Sequence, residues 1–150
     1  MQENVTLERL NGNDEAKILE IINSDANLKD TFSGERNTIY RILNSSYSAL
    51  IKDNDETVGF IMMVNNDKTS SQEIDMGVLS QHRNKGYGTK ALGLLKEKII
   101  EQQVKVNIQI EKMNIAAIRT VVKNGFILSR EDEKYSYYTI GEENEEKKRI

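Results

Sequence analysis

Arg83-Asn84-Lys85-Gly86-Tyr87-Gly88 brings cations and glycines together in one short run, a composition suited to holding an anion. The run lies between a strand-like segment, 73–79, and a helix-like one, 89–100, so it reads as a glycine-opened turn at a helix start. At such a start the first N–H groups lack intrahelical acceptors and the helix dipole is positive, which together make a seat for phosphate or pyrophosphate. Glycine lets a ligand touch the backbone, where a side chain would stand in the way. The candidate binding residues are therefore Arg83, Asn84, Lys85, Gly86, Tyr87, Gly88 and Thr89, with Arg83 and Lys85 supplying charge. A glycine turn before a helix is also a common tight connection, so the neighbouring elements must decide between the two readings.

Composition narrows the chemistry. The chain has 150 residues with 21 basic and 24 acidic side chains, enough for one domain with a real core, expected over 1–141, followed by a charged tail at 142–150. It has no cysteine, which excludes a disulfide, a zinc–thiolate site and a thiol nucleophile. The lone histidine, His82, falls in a polar stretch, reads as exposed, and has no partner ligands nearby in sequence, so no metal is expected. A formal charge of −3 gives no general attraction to nucleic acid. No apolar run approaches the roughly 20 residues of a membrane span, and the first residues lack the pattern of a secretory signal. The expectation is a cytoplasmic protein, monomer or homodimer.

The elements that must position the turn follow from periodicity. Residues 5–10 alternate like a strand, 11–14 supply a turn and helix cap, and Ala16, Ile18, Leu19, Ile21 and Ile22 recur at helical spacing. Residues 24–37 read as a polar loop, and 38–44 as a short helix through Ile39, Ile42 and Leu43. A hairpin over 47–52 and 57–64, with its turn at 53–56, leads through a loop at 65–71 to the strand 73–79. After the glycine turn comes an amphipathic helix with Ala91, Leu92, Leu95 and Ile99 inward, then an alternating strand at 104–110. Asn114 caps a helix through Ala117, Ile118, Val121 and Val122, closed by Gly125, and strands at 126–129 and 135–140 finish the fold. The predicted class is α/β (α+β), a mixed and mainly antiparallel sheet of about seven strands with four helices in the order β-α-α-β-β-β-α-β-α-β-β. Its single parallel crossover surrounds the glycine turn.

This order and these motifs resemble the GNAT superfamily of acyl-CoA-dependent N-acyltransferases. The family signature Arg/Gln-x-x-Gly-x-Gly/Ala is met by Arg83, Gly86 and Gly88, and its Asn-led helix ending in Gly-Phe by Asn114-Ile115-Ala116-Ala117 and Lys123-Asn124-Gly125-Phe126. The resemblance covers nearly the whole chain. It implies acetyl-CoA as acyl donor, with its pyrophosphate on residues 83–89 and its pantetheine arm paired to the 74–79 strand where that strand splays from the next. It also implies a free backbone N–H near Val78 as oxyanion donor, Asn114 across the same cleft, and a carboxylate early on the fourth strand as general base. Glu73 is the first choice for that base and Asp75 the second. The acceptor implied is a primary amine, such as a protein N-terminus, a polyamine or another small amine.

The chain departs from the family twice. Val121 stands where many members have a tyrosine that protonates the leaving thiolate, and Ser80-Gln81 replaces the usual proline before the signature. One of Tyr135, Tyr137 and Tyr138 could supply the missing acid. Two other functions fit parts of the sequence. A non-catalytic acyl-CoA sensor would keep the cradle without the acid. A dinucleotide-binding oxidoreductase is suggested by Gly86-x-Gly88-x-x-Ala91, with Glu111 further on, although that fingerprint normally follows its strand directly and 80–85 intervene here.

Overall fold

The computed structural model describes residues 4–11, 16–32, 37–66, 68 and 71–141. The turn and cap expected at 11–14 fall largely outside these residues, as does the tail at 142–150. Seven strands form one sheet in the order β1-β2-β3-β4-β5-β7-β6. They are β1 (Val5–Arg9), β2 (Ser45–Asp53), β3 (Glu56–Asn66), β4 (Ser71–Val78), β5 (Val106–Glu111), β6 (Ile127–Glu131) and β7 (Tyr135–Ile140). The helices are α1 (Ala16–Asn23), α2 (Ala26–Thr31), α3 (Thr38–Leu43), α4 (Tyr87–Gln102) and α5 (Ile115–Lys123).

Helices cover both faces of the sheet, and this is why β2 and β3 carry continuous buried runs rather than alternation. Ala49, Ile51, Ile61, Met63 and Ile74 share one core with Leu92, Leu95 and Ile99 of α4. Leu50, Phe60, Met62 and Val64 share the other with Ile18, Ile22, Leu28 and Ile42 of α1, α2 and α3. The strand residues in between therefore point alternately to α4 and to α1–α3. On β4, Ile74 belongs to the α4 side, so Glu73, Asp75 and Gly77 take the other. Gly77 confirms it, because a Cβ there would lie 2.8 Å from Leu28 Cδ2 and 2.7 Å from Phe60 Cε1.

The segment expected to be a polar loop, 24–37, contains α2. Six residues are too few to show a period and too few to be helical alone. What fixes them is tertiary: Leu28 is buried, and Asp25 caps the helix by accepting from Leu28 N at 3.1 Å. The described residues thus form five α-helices where four were expected. Among the described residues the only parallel pairing is β4 with β5, so the sheet is not doubly wound and the dinucleotide-binding alternative fails. No helix of the described residues is long and apolar enough to cross a membrane.

Candidate active site

The site begins with a strand pair that separates. β4 and β5 are registered only at Gln72↔Val106 and Glu73↔Asn107. Beyond that point β4 stays with β3 as far as Val78, while β5 follows β7, and a wedge opens toward the carboxyl ends of both strands. Leu79 N donates to Val58 O at 2.9 Å. By the alternation of an antiparallel ladder, this turns the N–H groups of Gly77 and Asp75 toward β3 and those of Val78 and Met76 toward the wedge. Two amide N–H groups thus face the gap on the β4 side, one of them at Val78.

At the mouth of the wedge the chain passes through a single 3-10 turn, Ser80–His82, and two left-handed residues, Asn84 at φ 63° and Gly86 at φ 88°. Successive N–H groups in such a loop form a concave anion seat. α4 starts at Tyr87, two residues earlier than its apolar pattern suggested, and Lys90 N donates to Gly86 O at 3.1 Å. The N–H groups of Tyr87, Gly88 and Thr89 precede that bond and have no intrahelical acceptor. A Cβ on Gly88 would meet only the mobile end of Met76, Cε at 3.4 Å, so packing alone does not demand glycine there. Arg83 Nε donates to Val78 O at 2.9 Å, which brings the guanidinium to the edge of β4, and Arg83, Asn84 and Lys85 are exposed.

Two braces hold this mouth in place. The buried Tyr87 donates its hydroxyl to Asp53 at the end of the β2–β3 hairpin. That bond to a carboxylate, with burial behind it, pushes the phenol above its ordinary value. His82 is not exposed as expected. Its ring stands edge-on to Tyr87 at 6.0 Å, and its Nε2 lies 3.1 Å from Glu56 Oε2. The second brace is Asp25, whose carboxylate accepts from Ser80 N at 2.7 Å and Ser80 Oγ at 3.1 Å. The Ser80 N–H bond, aided by that of Leu28 and opposed by burial, holds the Asp25 carboxyl below its usual range. A proline at position 80 could not make the first of these bonds, so the departure noted in the sequence lets Ser80 donate a hydrogen bond to the cap of α2.

On the other face of β4 stands an ion cluster. Arg41 of α3 donates from Nε to Asp75 Oδ2 at 2.5 Å, and from Nη2 to Asp75 Oδ1 at 3.3 Å and Glu73 Oε1 at 3.0 Å. Asn66 Nδ2 donates to Glu73 Oε2 at 2.7 Å. Asp75 is almost wholly buried, while the Glu73 side chain keeps 33% of its surface. Burial alone would lower the Arg41 pKa, but the Asp75 and Glu73 carboxylates outweigh it and raise the guanidinium above its ordinary value. Glu73 sits where the strands part, with lone pairs left on both oxygens.

Asn114 caps α5, its Oδ1 accepting from Ala117 N at 3.1 Å, and follows the carboxyl end of β5 across the wedge from the signature turn. Val121 is 1% exposed within the α4-side core, so a tyrosine there would overpack the interior. Tyr137 is engaged elsewhere: its hydroxyl donates to Asp132 Oδ2 at 2.8 Å and its ring lies 3.8 Å from the Arg130 guanidinium. Tyr135 packs against Tyr137, and Tyr138 is buried in the same core as Val121. The residues that sequence reasoning missed are Arg41, Asn66, Asp25 and the N–H of Met76. Only Arg41 left a sequence trace, as a cation in the otherwise apolar run Ile39-Tyr40-Arg41-Ile42-Leu43.

Strand rise limits how these groups can cooperate. Five residues at about 3.3 Å each put Val78 roughly 16 Å beyond Glu73. A carboxylate at 73 therefore reaches a carbonyl held at Val78 only through bridging water, and the Met76 N–H lies closer.

Residues 16–126 match the model of the acetyltransferase (GNAT) family. Among solved structures, the chain is similar to AAC(6')-Ib in complex with ribostamycin and coenzyme A, at 21% identity and TM-score 0.71 over 93% of this chain and 94% of that one. It is similar to the spermidine N-acetyltransferase from Vibrio cholerae in complex with CoA and spermine, at 15% identity and TM-score 0.69 over 92% and 95%. It is also similar to RimL, a ribosomal L7/L12 alpha-N-protein acetyltransferase in complex with coenzyme A, at 11% identity and TM-score 0.68 over 93% and 94%. At these identities the likeness is one of fold. No curated protein matches the sequence significantly.

Proposed function

Because the chain belongs to the acetyltransferase (GNAT) family, we propose that it moves the acetyl group of acetyl-CoA to a primary amine by direct attack in a ternary complex. The observation that carries this reading is the wedge between β4 and β5, which opens onto the unpaired N–H groups at the start of α4. The donor's pyrophosphate suits the residues from Arg83 to Thr89, and its amide-bearing arm suits the free edge of β4. Gly86 and Gly88 keep side chains out of that seat.

The chemistry then needs little from side chains. Glu73, directly or through water, takes a proton from the acceptor ammonium. The amine lone pair forms the C–N bond at the thioester carbon, and the developing oxyanion is held by the N–H of Met76 or Val78. Collapse breaks the C–S bond, expels the thiolate and releases the second proton of the attacking nitrogen to solvent. A thiolate is a stable enough anion to leave without a side-chain acid and to take its proton from solvent. That fits Val121 in the place of the family's tyrosine. The acceptor class is a protein N-terminus, a polyamine or another small amine; proteins of the same fold include an alpha-N-protein acetyltransferase, a spermidine N-acetyltransferase and one in complex with ribostamycin.

Calorimetric titration with acetyl-CoA, NAD and NADP, followed by free-thiol release with a panel of amines, tests the reading. Micromolar binding of acetyl-CoA, much weaker binding of the dinucleotides, and thiol release that depends on an amine are expected. Binding without release for any amine would leave a non-catalytic acyl-CoA sensor.

A further inference from the structure

Glu73 and Asp75 stand two residues apart on one face of β4, about 7 Å between Cα atoms by strand rise. Two carboxylates so close repel, and a cation set between them relieves that repulsion. Arg41 is that cation. Its two bonds to buried Asp75 fix the guanidinium, and the Nη2 that reaches Asp75 Oδ1 also holds Glu73 Oε1 at 3.0 Å. Asn66 pins the other oxygen of Glu73 at 2.7 Å. The carboxylate where the strands part is thus clamped from α3 and β3, with Asp75 as the anchor.

We propose that Arg41 is a positioning residue for the acyl transfer, anchored by Asp75 and acting through Glu73 to hold that carboxylate in place where the strands part. This rests on the reading of Glu73 as the base. The charged groups of the described residues drawn up against Glu73 are Arg41 on α3 and Asp75 on β4. Arg41 touches neither substrate. It acts by holding the Glu73 carboxylate where it can accept a proton from the ammonium.

The test is the ratio of wild-type to Arg41→Gln kcat/KM for the amine, followed from pH 6 to pH 9. The ratio reads how far the variant depends on amine that arrives already deprotonated. The variant should be about tenfold slower near pH 6, part of the roughly 10²–10⁴-fold that a well-placed general base contributes, and should approach wild type by pH 9, where an α-amine of pKa about 8 arrives already deprotonated. Acetyl-CoA affinity should not change. Arg41→Lys, which keeps the charge but loses the fork, should fall between the two. It also serves if Arg41→Gln does not fold, since its smaller deficit must still shrink with pH. A ratio that is flat across pH, or a loss that tracks acetyl-CoA affinity, overturns the proposal and leaves Arg41 as a structural tie. If the wild type binds acetyl-CoA but acetylates no amine, the proposed function itself fails and takes this role with it.

Discussion

On the α4 side of β4 the wedge is lined by backbone: the N–H groups of Met76 and Val78, the Val78 carbonyl under Arg83, and the first turn of α4 behind Gly86. On the opposite face of β4 stand side chains, Glu73 and buried Asp75, both gripped by Arg41 from α3, with Asn66 of β3 holding Glu73. Backbone recognises a ligand by shape and amide pattern and tolerates most side-chain changes. An ion cluster works by charge and proton transfer and tolerates few. In the proposed reading each side serves one substrate, so changes on one side should leave binding on the other intact.

The sharpest break comes from Glu73→Gln. It should lower kcat by roughly 10²–10⁴-fold at neutral pH, the usual worth of a general base, with acetyl-CoA affinity unchanged. The deficit should shrink as pH rises, because an α-amine of pKa about 8 then arrives already deprotonated. A normal rate would hand the role to Asp75 or to water. Asp75→Asn separates anchor from base. Removing the buried partner of Arg41 should cost about 3 kcal/mol of stability in urea unfolding, against less than about 1 kcal/mol for the part-exposed Glu73→Gln. Equal costs would mean that the two carboxylates are not divided between these roles.

The backbone side is tested by Gly88→Val. A branched side chain over the N–H groups of the first turn should weaken acetyl-CoA binding on the order of 10²-fold, the loss of one or two charge-assisted bonds, with cooperative unfolding preserved. Undiminished affinity in the folded variant would make the turn merely structural. Arg83→Ala should be milder, about tenfold, and should flatten the dependence of affinity on salt.

These two sides were unequally legible in the sequence. Gly86, Gly88 and Arg83 announce themselves within six residues because a backbone seat is a local structure, built by neighbours in the chain. The cluster joins residues 41, 66, 73 and 75, which only the β3–β4 register and the docking of α3 bring together. Sequence reasoning reached Glu73 and Asp75 through the family resemblance, which points to a carboxylate early on the fourth strand, but nothing in the chain marked Arg41 or Asn66 as their partners. The same distinction explains α2. Its cap, Asp25, bonds to Ser80, 55 residues away, and no window along the chain contains both.

The smallest expected effect concerns that bond. The Asp25 carboxyl is held below its usual range in the fold, so its contribution is present above the unfolded value, about pH 3.9, and lost as pH falls through the folded one. Asp25→Asn should therefore flatten the acid-side decline of Tm below about pH 4. An unchanged acid limb would mean that the bond Ser80 donates to Asp25 does not stabilise the mouth of the wedge.

The central claim, that two substrates meet across one strand, is tested most directly by initial rates measured over a grid of acetyl-CoA and amine concentrations. With no cysteine in the chain and each substrate held on its own side of β4, the double-reciprocal lines should intersect, as for direct transfer in a ternary complex. Parallel lines would mean that the acyl group is first passed to the protein, and would contradict the account.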